Sequence, residues 1–272
     1  MLLGALSFLS PAQVLYGQVF SGDARSAGMA CTGVALTSSW SALLNPSGLS
    51  GLARSTLGVS YENCYLVPDL GTGAFSGALV THGGTLGLGY MTTGNSCFRE
   101  NLIGFAYGRS FGTKIRAGIG IHYLAIRQPA DYESLSAIVP AMGIQAQPLP
   151  GLILGVCIVN PAEQSYNPKG YLDLPRFFYT GISYQLGDEV LLCAEAEKSS
   201  RQTFVFRGGF EIMLQQRILG RFGIFSGEFP GYSFGIGLFT RSLTVDIGAT
   251  HHPVLGFSPS ITFTLGNARV KI

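Results

Sequence analysis

Charge is what this chain has least of. Only 12% of its residues are Asp, Glu, Lys or Arg, and 17 cations against 15 anions leave a net charge of +2. So weak a balance implies neither a nucleic-acid nor an anionic-membrane partner, and the composition fits neither an average soluble domain nor a disordered one. Long apolar runs are scarce too. The one that opens the chain, residues 1–18, contains Pro11 and ends in small or polar residues, and after it no stretch reaches the ~20 apolar residues of a spanning helix. The five cysteines (Cys31, Cys64, Cys97, Cys157, Cys193) are odd in number and form no CxxC or Cys/His ligand spacing, so they read as small apolar residues, with any disulfide left open. His251-His252 lies beside Pro253 with no HExxH pattern, and no GxSxG occurs. A non-catalytic protein with no cofactor and no metal is expected.

What is present in quantity is apolar residues, 47% of the chain, and 38 glycines. Apolar content without a spanning helix leaves a closed β-barrel as the membrane solution, because every backbone N–H and C=O in hydrocarbon must pair within the protein. The predicted class is therefore all-β: a transmembrane antiparallel barrel, integral to a bacterial outer membrane, with lipid as its first partner. Other outer-membrane or periplasmic proteins are expected as further partners, and nucleic acid is not. Residues 1–17 read as a secretory signal. Its usual leading Lys or Arg is missing, and a start that lies upstream or has been trimmed is the expectation.

Residues 18–54 read as a short periplasmic hatch. Gly28, Ala30, Gly33 and Ala35 suit a segment packed inside something else, and Asn45-Pro46-Ser47-Gly48 is turn chemistry ahead of the first strand. Residues 55–272 then divide into about fourteen alternating runs, starting near Ser55, Gly71, Thr85, Phe98, Lys114, Leu135, Gly151, Arg176, Glu189, Thr203, Arg217, Tyr232, Leu243 and Phe257. Every second connection is tight, for example His82-Gly83-Gly84, Phe111-Gly112-Thr113 and Gly187-Asp188, as periplasmic turns are; those between are mostly longer. Two neighbouring runs could be misjoined, so twelve or sixteen strands stay open beside fourteen.

Alternation assigns faces, since successive side chains on a strand point to opposite sides. Phe204, Phe206, Phe210, Ile212 and Leu214 share the lipid face, as do Ile115, Ala117, Ile119, Ile121 and Tyr123. The charges then fall inward: Arg116, His122, Glu195, Glu197, Arg207, Glu211, Arg221 and Asp246. An Arg or Lys on the lipid face near the midplane would cost ~2–4 kcal/mol, which favours this assignment. Glu195, Arg207 and Arg221 are placed to pair along three consecutive strands. With both signs nearly balanced, a network that seals the lumen is the first reading and a selectivity constriction the second. Inward Gly104, Gly108, Gly118 and Gly120 leave room for the hatch. A fatty or aromatic ligand would need an apolar lumen patch, of which only Leu124 and Ile126 give a sign. The long connection from Asn160 to Pro175 is a surface cap or partner loop, with Tyr166, Tyr171 and Leu172 as its anchors.

Gly28-Met29-Ala30, Thr32-Gly33-Val34-Ala35-Leu36, Ser41-Ala42-Leu43 and Asn45-Pro46-Ser47-Gly48-Leu49, with the hatch turn at Asn45 and Pro46, resemble the N-terminal pattern of the FadL-like superfamily, most closely its PorV/PorQ-type branch in Bacteroidota. The ending from His252 to Ile261 resembles the last hairpin of that branch, while Ser47 stands where Ala is usual. The resemblance implies a plugged fourteen-strand barrel that is either a hydrophobic-compound transporter or a partner barrel in secretion and assembly machines. Because the chain, its loops and its hatch are short, the expected function is an accessory subunit of a secretion or assembly complex. The alternative is a channel for small hydrophobic or polar solutes.

Overall fold

A computed structural model describes residues 22–129, 134–166, 172–215 and 217–266. The proposed signal peptide and Tyr171 lie outside the described residues, as does the side chain of Leu172. Among the described residues no helix is long and apolar enough to cross a membrane.

Fourteen antiparallel strands close into one barrel. They are β1 (Thr56–Asn63), β2 (Gly71–Thr81), β3 (Gly84–Gly94), β4 (Arg99–Phe111), β5 (Ile115–Arg127), β6 (Leu135–Leu149) and β7 (Leu152–Val159), followed by β8 (Phe177–Leu186), β9 (Val190–Ser199), β10 (Val205–Gln215), β11 (Ile218–Phe225), β12 (Gly231–Phe239), β13 (Leu243–His252) and β14 (Gly256–Leu265). Each pairs with its chain neighbours, and the ring shuts where β1 meets β14, Val59 opposite Phe263. The fourteen starts read from the sequence all fall within two residues of these strands. Closure satisfies every strand edge, which an open sheet in lipid could not do.

The strand alternation becomes two surfaces. Ile119 is 63% exposed, and Phe105, Ile138, Phe206, Ile224 and Ile236 are likewise exposed on the outside. Exposed apolar side chains around the whole ring would be a liability in water and are what a bilayer requires. Tyr61, Phe111, Tyr123 and Tyr184 join this outer face. Two register irregularities, between Ala146 and Leu149 and between Met213 and Gln215, fall at the short-turn end, where a bulge ends pairing without opening the wall.

Candidate functional site

The lumen is not empty. Residues 22–52 lie against inward side chains of strands around the ring, almost all of them buried. The segment holds a one-turn helix, α1 (Ala24–Ala27), started by Asp23, whose carboxylate accepts from the Ser26 N–H at 3.0 Å. Two 3₁₀ turns follow, at Ser39–Ala42 and Pro46–Gly51. Asn45 organises the second: its Oδ1 accepts from Ser47 N–H and Oγ at 3.2 and 2.8 Å, and its Nδ2 donates to the Val34 carbonyl at 2.6 Å. Pro46 follows as the first residue of the turn, where its missing N–H costs nothing.

Because so little of this segment is regular, its backbone polar groups look to the wall for partners. Thr262 on β14 accepts from the Ala24 N–H at 2.8 Å, and Ser233 on β12 accepts from the Ala30 N–H at 2.8 Å. Gln145 on β6 donates to the carbonyls of Val34 and Leu36, both at 3.0 Å, and Ser183 on β8 donates to that of Ala35 at 3.0 Å. Inward glycines let the two backbones touch. A Cβ at Gly108 would come within 2.7 Å of the Pro46 oxygen; at Gly118 it would strike Pro46 itself, and at Gly143 the Asn45 side chain.

The eight inward charges all sit on the lumen side, but they divide their work. Arg221 forms ion pairs with Glu211 at 2.7 Å and Asp246 at 2.8 Å, and Glu211 also receives Arg25 of the segment at 3.0 Å. This tetrad ties α1 to β10, β11 and β13. Arg207 pairs with Glu197 at 2.7 Å, not with Glu195 as expected. Glu195 stands opposite Arg207 in the ladder, yet its carboxylate is taken by the N–H groups of Gly33 and Val34, at 2.8 and 2.9 Å. Arg116 donates to Thr37 at 3.2 Å, and His122 meets the Ala42 carbonyl at 3.2 Å. Arg25 was missed in the sequence because the hatch was read by its small residues alone. Beside the tetrad, toward the short turns, a cavity of about 260 Å³ is lined by Arg25, Arg116, Gln147, Gln185, Glu211 and Arg221 among others.

The half of the lumen toward the longer connections is different in kind. Leu124 and Ile126 were the only sign of an apolar patch; the structure corrects this. Met91, Leu102, Val139, Val159 and Phe177 join them in one buried cluster with Leu43 and Val34 of the segment. Tyr166 and Leu174 reach the same cluster from the long connection, so Tyr166 is an inward anchor and not a surface one. Asn160 holds that loop's base, with its Nδ2 donating to the carbonyls of Gln164 and Leu174 at 3.2 and 3.0 Å and its Oδ1 accepting from the Gln164 N–H at 2.7 Å. Backbone pairing of Tyr166 with Leu172 closes a two-residue ladder above it. Glu100, also missed, is inward and 1% exposed within this apolar half.

A closed fourteen-strand barrel with an apolar exterior is an integral outer-membrane protein. No family model matches the chain, and no curated protein matches it in sequence. Solved structures do share the fold. The CymD monoaromatic hydrocarbon channel superposes with a TM-score of 0.68 at 12% identity, covering 91% of this chain and 98% of that one. The Ralstonia pickettii toluene transporter TbuX gives 0.66 at 12%, over 90% and 98%. A Pseudomonas aeruginosa FadL homologue gives 0.64 at 13%, over 90% and 98%. At these identities the likeness concerns the fold.

Proposed function

We propose that this protein is a FadL-type outer-membrane channel for small hydrophobic compounds, with residues 22–52 as its plug. The observation that carries the reading is the buried apolar cluster in the outer half of the lumen, continuous from Tyr166 in the long connection to Val34 and Leu43 in the segment. A lumen that passed ions would have no reason to line one half with Leu, Ile, Val and Met, whereas a site for apolar molecules needs such a lining. The fold neighbours that carry the words channel or transporter in their names support the same reading. Together these displace the accessory-subunit expectation, which leaned on brevity and on the want of an apolar patch. In this reading the chain is non-catalytic and needs no cofactor. A place in the PorV/PorQ-type branch rests on the two terminal motifs alone, and stoichiometric co-purification of a secretion or assembly partner from native membranes would be its test.

The channel reading is tested by uptake of radiolabelled toluene into cells whose outer membrane carries the barrel, against cells carrying none. Faster uptake is expected, and faster still when residues 22–52 are deleted from a barrel that still folds. Equal uptake in all three would refute it.

A further inference from the structure

Neither carboxylate oxygen of Glu100 has a hydrogen-bond partner among the described residues, although the side chain points inward on β4 and is 1% exposed. Its cross-strand neighbours are Thr93 and Ile126, and Leu102 follows it on the same face. The flanking cations give no relief, because Arg99 and Arg127 alternate to the outer face and are exposed. The Tyr166 phenol lies within electrostatic reach. A carboxyl group placed in an apolar cluster without a partner is a cost to folding that a Leu or Met there would avoid. Inside a site for apolar molecules, it is the group that would fix a ligand's orientation.

We propose that Glu100 is the polar contact of a ligand site in the outer half of the lumen, and that its ligand is a small apolar molecule bearing one hydroxyl, such as a phenol or a short aromatic alcohol. This rests on the channel reading and narrows it. The chemistry of the group selects the class. In apolar surroundings the carboxyl is held neutral, with one O–H to donate and a carbonyl oxygen to accept. A plain hydrocarbon meets neither, an ammonium would bring a charge and donors but no acceptor, and one hydroxyl, both donor and acceptor, answers both. Leu102, Leu124, Ile126 and Val139 supply the apolar walls for the rest of the molecule.

Toluene and p-cresol share one body and differ by the hydroxyl, so their binding to the purified, detergent-solubilised barrel, measured by equilibrium dialysis, separates the terms. The expected result is p-cresol bound about tenfold or more tighter than toluene, because a site built for a hydroxyl penalises its absence. In Glu100→Met, whose fold is checked by heat-modifiable gel mobility, the order reverses while toluene binding is kept. Should Glu100→Met fail to fold, the order in the unaltered protein decides, since an apolar site without a polar contact binds toluene more tightly than p-cresol. An unaltered protein that favours toluene, or a folded Glu100→Met with an unchanged ratio, overturns the inference and leaves the channel reading standing. Binding of neither compound overturns both.

Discussion

Replacing Glu211 by glutamine changes the lumen by one charge and almost no volume. In the folded barrel Glu211, Asp246, Arg25 and Arg221 sum to zero, so Glu211→Gln leaves two guanidiniums facing Asp246 alone. The Glu211 and Arg221 side chains are only 2% and 1% exposed, whereas Arg25 is 24% exposed and can turn toward water in the adjoining cavity. Breaking a buried pair by removing one partner costs about 3–5 kcal/mol, and access of water on the Arg25 side puts the expectation near the lower figure, about 3 kcal/mol. With a urea slope of up to about 3 kcal/mol/M, the unfolding midpoint falls by at least about 1 M. The assay is urea unfolding in lipid vesicles, followed by fluorescence of Trp40, the single tryptophan, which is buried in the lumenal segment. The double variant Glu211→Gln/Arg221→Gln leaves Arg25 and Asp246 in balance, so it should be no less stable than Glu211→Gln by more than about 1 kcal/mol. A double variant as unstable as the two single losses added together would refute a coupled tetrad.

Gly118→Val should drive the Pro46 turn off β5 without opening the barrel, because the new Cβ would occupy the place of Pro46; limited proteolysis should then cut within residues 22–52 while the heat-modifiable band persists. Ile119→Arg, one residue away but 63% exposed on the lipid face, should instead destabilise the barrel by about 2–4 kcal/mol and leave the segment seated, read by the same urea unfolding. Burial raises the Asp23 carboxyl from its ordinary 3.8 to about 6, with Asp246 adding to the rise and the Ser26 contacts opposing it. The docked segment therefore holds that proton better than the released one, so this carboxyl's contribution to docking is full below about pH 4 and is lost progressively as pH rises to about 6, the other contacts remaining. Asp23→Asn, which keeps a good helix cap, should remove this dependence, as measured by quenching of Trp40 at pH 4 and pH 7.

The wall was legible because period-two alternation is a local signal. Arg207 and Glu211 face inward by the same count that turns Phe206 and Phe210 outward, and no distant contact was needed to see it. Height along the barrel axis was not legible, because it depends on the stagger of every strand pair before it. Leu102, Leu124, Val139 and Phe177 come from four strands and meet only through that stagger, so the apolar half of the lumen could not be assembled from runs read one at a time. Glu100 shared the parity of Gly104 and Gly108 and could have been placed inward on the same evidence. Glu195 shows the other limit: the ladder puts it beside Arg207, but a segment without periodicity claimed it through two backbone N–H groups.

The glycines follow from the same geometry. A fourteen-strand wall has a fixed bore, and inward side chains of ordinary size would consume the space a second backbone needs. Glycine is a poor strand residue by intrinsic preference, which makes its recurrence on inward positions of β4, β5, β6, β7, β10 and β11 a packing choice. At Gly104, Gly143, Gly155, Gly209 and Gly223, as at Gly118, an added Cβ would collide with the lumenal segment itself, with Leu43, Asn45, Val34, Met29 and Ala30 in turn. The wall thus gives up strand propensity where it meets the segment and regains it as close contact, with backbone against backbone at Gly118, Gly155, Gly209 and Gly223 and with the Leu43 and Asn45 side chains at Gly104 and Gly143. The backbone contacts have almost no side chain to rearrange, so a larger residue at any one of those four has to displace the segment or distort the wall. The sites where glycine is required therefore trace the path of residues 29–46 across the lumen, and Val34 and Leu43 on that path are also where the segment joins the apolar cluster.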